Sequence, residues 1–369
     1  MKEPTPETVH VNPTVENRGE MPDAAELLGF NTAVEGELPA AKKVRQSNFE
    51  LLRLVAMLFV LLMHANYGAF GHVTADTIAQ SPFTSLLRVF LQAMSRCAVD
   101  LFVMISGWFA IRASLRGLLN FLFQCAWFYV GLWLVTLVLS LNGHSVPSFS
   151  RMMEINWFVS RYVGLFLLSP ILNIFCERCS RRQLTLWVVA FYIYQTLFDW
   201  TGISEFTIDG FSVISFVGLY LLARCLRRWD DEGRLSPSLG WLFPGCVLLI
   251  TAGMMLNPGW PLFSYVSPLV IGSGVGLLVI FRNIRMRPSR VVNYLAASCF
   301  AVLLFQTNAW MWGYYGMGMR RIYAHHPALT ATLGALAWIL AWYVAAILLD
   351  QPRRWLFRLA TRRYAKVKG

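Results

Sequence analysis

Two ionisable residues, Arg53 and His64, stand eleven apart inside an apolar stretch near residues 50–70. On an α-helix eleven residues turn about 1100°, roughly 20° past three full turns, so both side chains project from one face about 16 Å apart along the axis. An arginine at the edge of such a stretch suits an anionic ligand, and a histidine within it suits proton transfer at neutral pH. Each also has a plainer use, Arg53 as a snorkelling anchor and His64 as a helix-to-helix hydrogen-bond partner. In the next apolar stretch Arg96 and Asp100 are four apart, a spacing that pairs them on one helical face. That pairing would neutralise both, although Asp100 is also placed to orient the His64 ring if the two stretches are neighbours. Ser106-Gly107 follows and reads as small-residue helix packing before it reads as a nucleophile. Arg161 and Tyr162 open a later stretch, where they meet either an acceptor molecule or an aromatic belt. Gln306 and Asn308 lie at the same offset as His64 in a stretch running the same way, and they either line the same cavity or tie helices together.

The elements that must hold these residues follow from composition. Of 369 residues, 56% are hydrophobic and 14% charged, against roughly 45–50% and about 25% in soluble domains. A water-soluble enzyme is excluded, and ten apolar stretches remain, near 50–70, 83–110, 118–141, 156–176, 184–200, 211–226, 240–257, 262–281, 292–313 and 328–350. The expected fold is all-α, a polytopic membrane helical bundle of about ten transmembrane helices. The second stretch is overlong and expected to tilt or extend past the bilayer. Gly272 and Gly276 read as a close-packing pair within the eighth.

The formal charge of +12, with 32 Lys and Arg against 20 Asp and Glu, is mostly topological. Placed on alternate loops, 23 basic residues fall on the side of the N-terminus and three, Arg151, Arg320 and Arg321, on the other. This bias predicts cytosolic termini and removes the need for a nucleic-acid partner. The inner set includes Arg112 and Arg116 after the second stretch and a basic C-terminal tail beginning Arg353-Arg354. Residues 1–47 carry eight acids without apolar periodicity, so they are expected to be a disordered extension and not a signal peptide. The division is thus 1–47 tail, 48–352 membrane domain and 353–369 basic cytosolic tail. Seven scattered cysteines make no second pair to complete Cys176 and Cys179, and no metal is expected.

Taken together, the segments resemble the acyltransferase-3 family of bacterial membrane proteins. Asn48-Phe49-Glu50-Leu51-Leu52-Arg53 through His64 is similar to the family's Arg/His helix. Ala98-Val99-Asp100-Leu101-Phe102 through Ser106-Gly107 is similar to its Val-Asp-Leu-Phe segment. Trp157-Phe158, Tyr162, Leu165 and Ser169-Pro170-x-x-Asn173 match a pattern of the polysaccharide-modifying branch. The resemblance implies a multi-pass O-acyltransferase of the bacterial cytoplasmic (inner) membrane. It would take an acyl group, expected to be acetyl, from cytosolic acyl-CoA and pass it to a hydroxyl of a cell-envelope or exported polysaccharide. Acetyl-CoA is then a co-substrate, with no permanently bound cofactor; a glycan or lipid-linked sugar is the acceptor. His64 and Asp100 are the implied catalytic residues. Arg53, Arg112 and Arg116 would hold the acyl-CoA, and Arg96, Arg161, Tyr162 and Gln306 the acceptor or pocket.

Two features depart from the family. Gln306 stands where members often carry histidine, and Arg112 and Arg116 are one residue further apart than the family's arginine pair. No hydrolase-like domain follows the last stretch, so a single-component enzyme, or one with a separate partner, is expected. The competing expectation is a transporter or flippase of a lipid-linked sugar using the same buried charges, disfavoured because the first stretch has no counterpart in the second half. A hydrolase built on Ser106 and His64 lacks an oxyanion segment.

Overall fold

The computed structural model describes residues 45–143, 145–201 and 208–367, with side chains at 199, 200 and 362–367 excepted. Most of the expected N-terminal extension, and the last basic residues from Arg362 onward, lie outside the described residues or side chains. The described residues form helices and connecting turns, with no strand among them.

Helix α1 (Ser47–Met63) passes directly into a π-helical turn, His64–Gly68. After α2 (Ala75–Gln80), the expected second stretch appears as two helices, α3 (Pro82–Ser95) and α4 (Ala98–Phe109), broken at Arg96–Cys97. Helix α5 (Leu115–Leu141) and the short α6 (Phe149–Met152) lead to α7 (Trp157–Arg178). Next come α8 (Arg181–Trp200), α9 (Val213–Asp231), α10 (Leu242–Leu256) and α11 (Pro268–Asn283). The chain closes with α12 (Arg290–Ala296), α13 (Cys299–Gln306), α14 (Ala309–His325) and α15 (Ala328–Val367).

Among the described residues, seven segments are long and apolar enough to cross a membrane, or eight if α12–α13 and α14 make one bent span. Ten were expected. Helices α8 and α9 occupy the fifth and sixth expected places, but polar residues such as Arg224, Arg227, Arg228, Asp230 and Asp231 crowd the end of α9. The ninth expected span, 292–313, crosses a turn of 88° between Gln306 and Ala309. There the Asn308 side chain accepts the Trp310 N–H and caps a new helix, a local option that asparagine offers and hydropathy does not register.

The helices sort residues between lipid and core without polar faces. On α15, Leu333, Leu336, Leu340, Val344 and Leu348 form an exposed stripe at helical spacing, while Ala331, Ala335, Ile339 and Ala346 are buried behind it. With no hydrophobic gain from leaving lipid, close backbone approach carries the packing. A Cβ at Gly107 on α4 would stand 2.7 Å from the Tyr220 carbonyl oxygen of α9. One at Gly276 on α11 would overlap the Phe243 backbone of α10, so this half of the expected glycine pair is a packing contact.

The tail expected from residue 353 is part of a helix: α15 continues through Pro352. Asp350 and Arg353 are 0% and 3% exposed and ion-paired at 2.6 Å. Arg353 donates from Nε and Nη2 to the two carboxylate oxygens and from Nη1 to Asn120. Gln124 and Ser298 donate to the same carboxylate. This polar knot ties α15 to α5 and to the turn between α12 and α13. Removing one partner of such a pair leaves an uncompensated buried charge, a loss of about 3–5 kcal/mol. Arg353→Ala should therefore lower the thermal midpoint of the detergent-solubilised protein sharply. Arg234→Ala, which breaks an exposed contact to Glu232 at 3.7 Å, should cost about 0–1 kcal/mol. Equal shifts for the two would show that the knot is not a stabilising tie.

Candidate active site

Helix α1 carries two of the predicted residues, and the local sequence decides what each does. Glu50 precedes Arg53 by one helical turn, and the two are paired at 2.7 Å. Glu50 is 8% exposed at its side chain and Arg53 31%, and the second carboxylate oxygen of Glu50 has no partner. Arg53 therefore reaches an open space while its charge is half-compensated from below.

At the far end of α1 the helix widens into its π turn, beginning at His64; such turns are frequent at functional sites. His64 Nδ1 lies 2.7 Å from Gln306 Oε1. An amide oxygen only accepts, so with this amide orientation Nδ1 carries the proton and Nε2 keeps the lone pair of the neutral ring. The indole of Trp312 meets the imidazole edge-on at 4.9 Å. Gln306 is fully buried, and its amide nitrogen, like that of buried Asn308, has no hydrogen-bond acceptor.

The expected pairing of Arg96 with Asp100 is not formed. The α-helical pattern is interrupted at Arg96–Cys97 within the span Pro82–Phe109, and Arg96 finds its partners elsewhere. Its Nε donates to the Phe263 carbonyl, its guanidinium lies 3.8 Å from the Tyr265 ring centroid, and Nη1 contacts Met63 Sδ. Asp100 is 1% exposed with neither carboxylate oxygen hydrogen-bonded. It faces α11 at Gly274, and the place beside His64 considered for it belongs to Gln306.

One large cavity, about 860 Å³, opens among α1, α4, α5, α7, α13 and α15. Arg45 just before α1, Arg53 on α1, Arg116 from the start of α5, and Arg353, Arg354 and Arg358 from the later part of α15 line it. Arg353 donates from all three of its nitrogens into its knot, and Arg354 donates from Nη1 to the Tyr294 carbonyl, Ser298 and Gln351. Arg116 has a 3.4 Å bond to Thr361, and Arg358 spends Nε on the Arg354 carbonyl. These last two, with Arg53 and exposed Arg45, keep donors for a ligand. Arg112 is exposed and is not among the lining residues. Sequence reasoning had assigned Arg45, Arg354 and Arg358 to topology alone. No spacing in the sequence marks these three as cavity residues; the repeat of Glu50-x-x-Arg53 at Asp350-x-x-Arg353 points only to Arg353.

The inner part of the cavity is apolar and aromatic, formed by Phe102, Phe121, Phe158, Tyr162 and Phe300 around Ser106. The Ser106 hydroxyl donates to the Phe102 carbonyl, leaving it to accept from the Tyr162 hydroxyl at 3.1 Å. Tyr162 is thus a cavity residue. Arg161, by contrast, donates to the Phe211 carbonyl and Ser160 and braces the start of α7. His64 is not among the lining residues.

Asn173, last of the Ser-Pro-x-x-Asn run, shapes this wall from behind. It donates to the Ile111 carbonyl and accepts from Tyr220, whose hydroxyl in turn accepts the Ile111 N–H. The clamp holds Ile111 beside Ala110, which adopts φ +58°, a conformation an alanine rarely keeps unsupported. Both residues line the cavity.

The fold is that of a multi-pass helical membrane protein, and its cavity joins an arginine-rich end to an apolar, aromatic interior. The chain belongs to the acyltransferase-3 family, whose acyltransferase domain matches residues 46–349, and it is a membrane acyltransferase. No curated protein and no solved structure matches it.

Replacing Asn173 by leucine would strand the Tyr220 hydroxyl and the Ile111 carbonyl, a cost of about 1–3 kcal/mol. Asn173→Leu is expected to lower the thermal midpoint, and Tyr220→Phe to lower it as well, because it strands Asn173 Oδ1 and the Ile111 N–H. A midpoint unmoved by Asn173→Leu would show that the clamp does not hold the wall.

Proposed function

We propose that the protein transfers an acetyl group from cytosolic acetyl-CoA to a hydroxyl of a cell-envelope polysaccharide or its lipid-linked precursor, in the bacterial inner membrane. The observation that carries the reading is the His64–Gln306 bond at 2.7 Å on the same helix as Arg53, about 16 Å from it by helical rise. This reading has ten spans, with α8 and α9 as the fifth and sixth and the bent α12–α14 unit as the ninth. Both termini and the arginine-rich mouth are cytosolic, and the residues before 48 and after 352 serve as extensions of one membrane domain.

At the mouth, Arg53, Arg116, Arg358 and Arg45 hold the donor's phosphates through charge-assisted hydrogen bonds. His64 Nε2 accepts the proton of the acceptor hydroxyl as its oxygen attacks the thioester carbonyl. The carbon–sulfur bond then breaks, and the proton passes to the departing thiolate. The unpartnered amide nitrogens of Gln306 and Asn308 are donors of the kind that stabilise a developing oxyanion. Gln306 thus does in this chain what no second histidine is present to do, fixing the ring of His64 by its oxygen. Asp100 has no part in the proton path, and Arg96 and Arg161 position backbone and not the acceptor.

Membrane vesicles carrying the protein, given acetyl-CoA labelled in the acetyl group, should place label on surface glycan. His64→Ala should reduce that transfer by about 10²–10⁴-fold at unchanged protein level. Arg116→Ala and Arg358→Ala should each weaken acetyl-CoA binding by about tenfold. Normal glycan labelling by His64→Ala would remove the histidine from the chemistry. Unchanged donor affinity in both arginine variants would remove the mouth from donor binding.

A further inference from the structure

Four aromatic rings from three helices close a circuit across the cavity. Phe121 of α5 and Tyr162 of α7 stack at 5.7 Å, and Tyr162 and Phe158 at 5.8 Å. Phe158 meets Phe300 of α13 at 6.4 Å, and Phe300 returns to Phe121 at 4.9 Å. Every side of this circuit falls within the contact range of aromatic pairs, about 4.5–7 Å. Tyr162 is further restrained through its hydroxyl on Ser106.

The circuit stands between the arginines and His64. Along α5, Phe121 follows Arg116 by five residues, about 7–8 Å deeper by helical rise. Along α13, Phe300 precedes Gln306 by six residues, about 9 Å short of the partner of His64. Ala296, Ala297, Cys299 and Phe300 line the cavity, whereas the following residues to Gln306 do not. A thioester whose phosphates lie at the mouth must bring its acyl end past rings that already touch.

We infer that Phe121, Phe158, Tyr162 and Phe300 form an acyl-length filter that admits two-carbon acyl groups to His64 and stops longer chains. The inference rests on the acyl-CoA reading above and adds to it the class of donor. A small acyl group passes with a slight ring displacement. Each further methylene demands more, and in packed apolar sites one methylene commonly changes specificity by about tenfold or more.

The test supplies the same vesicles with acetyl-, butanoyl- and octanoyl-CoA, each labelled in the acyl group, and reads label on glycan as a ratio to acetyl. The ratio cancels differences in protein amount. The unaltered protein should prefer acetyl over octanoyl by about tenfold or more. Phe300→Ala should raise the octanoyl-to-acetyl ratio by about tenfold, and Phe121→Leu should raise the butanoyl-to-acetyl ratio, a milder change that keeps the test if the alanine variant does not insert. Equal use of acetyl and octanoyl by the unaltered protein, or ratios unmoved in the variants that insert, overturns the filter and leaves acyl transfer standing. Transfer from none of the three donors overturns the acyl-CoA reading and the filter with it.

Discussion

A charge inside a bilayer must bring its own partner, and that requirement arranges most of this molecule. A guanidinium away from water costs several kcal/mol unless paired or hydrogen-bonded, so each buried arginine fixes the parts of the chain that satisfy it. Arg353 holds α5, α15 and the start of α13 around Asp350. Arg228 donates to the Cys176 and Cys179 carbonyls and so satisfies the end of α7. Arg88 donates to Asn66 and the Gly71 carbonyl and braces the turn after the π helix. Among the groups left without a partner are Glu50 Oε2 beside the cavity and the amide nitrogens of Gln306 and Asn308 near His64.

That neighbourhood is made by three interruptions of regular helix that touch one another. The π turn begins at His64, the α3–α4 break contains Arg96, and the sharp bend follows Gln306. His64 bonds Gln306, and Arg96 reaches Met63, the residue before His64. Irregular backbone is tolerated at membrane depth where protein buries it or a cavity satisfies it. Here it aims side chains that continuous helices would have pointed elsewhere.

This explains what the sequence discloses and what it conceals. Apolar length reveals the long helices, and the Arg53–His64 pair is legible because α1 runs unbroken from Arg53 to Met63, the residue before His64. The Arg96–Asp100 pair fails for the opposite reason, since four-residue spacing means a shared face only if the helix continues. Hydropathy likewise reads 292–313 as one span because the polar residues that turn the chain, Thr307 and Asn308, are too few to depress a window average. Basic residues near span ends pass for topology, so Arg358 and Arg45 are invisible as cavity residues until α15 and α1 are seen to share one mouth.

The two Acid-x-x-Arg turns show how the same spacing separates a structural arginine from one left for a ligand. At Asp350-x-x-Arg353 both oxygens and three guanidinium nitrogens are engaged, with additional donors from Gln124 and Ser298. Five hydrogen bonds within the protein hold this pair. At Glu50-x-x-Arg53 one oxygen meets one nitrogen, the other oxygen is buried without a partner, and the guanidinium is a third exposed to the cavity. A buried carboxylate that is half-satisfied keeps a net demand for positive charge at that point, which holds Arg53 in place while its remaining donors face the cavity. An anion arriving there would meet a guanidinium already oriented by Glu50, so less of its binding free energy would be lost to ordering the side chain.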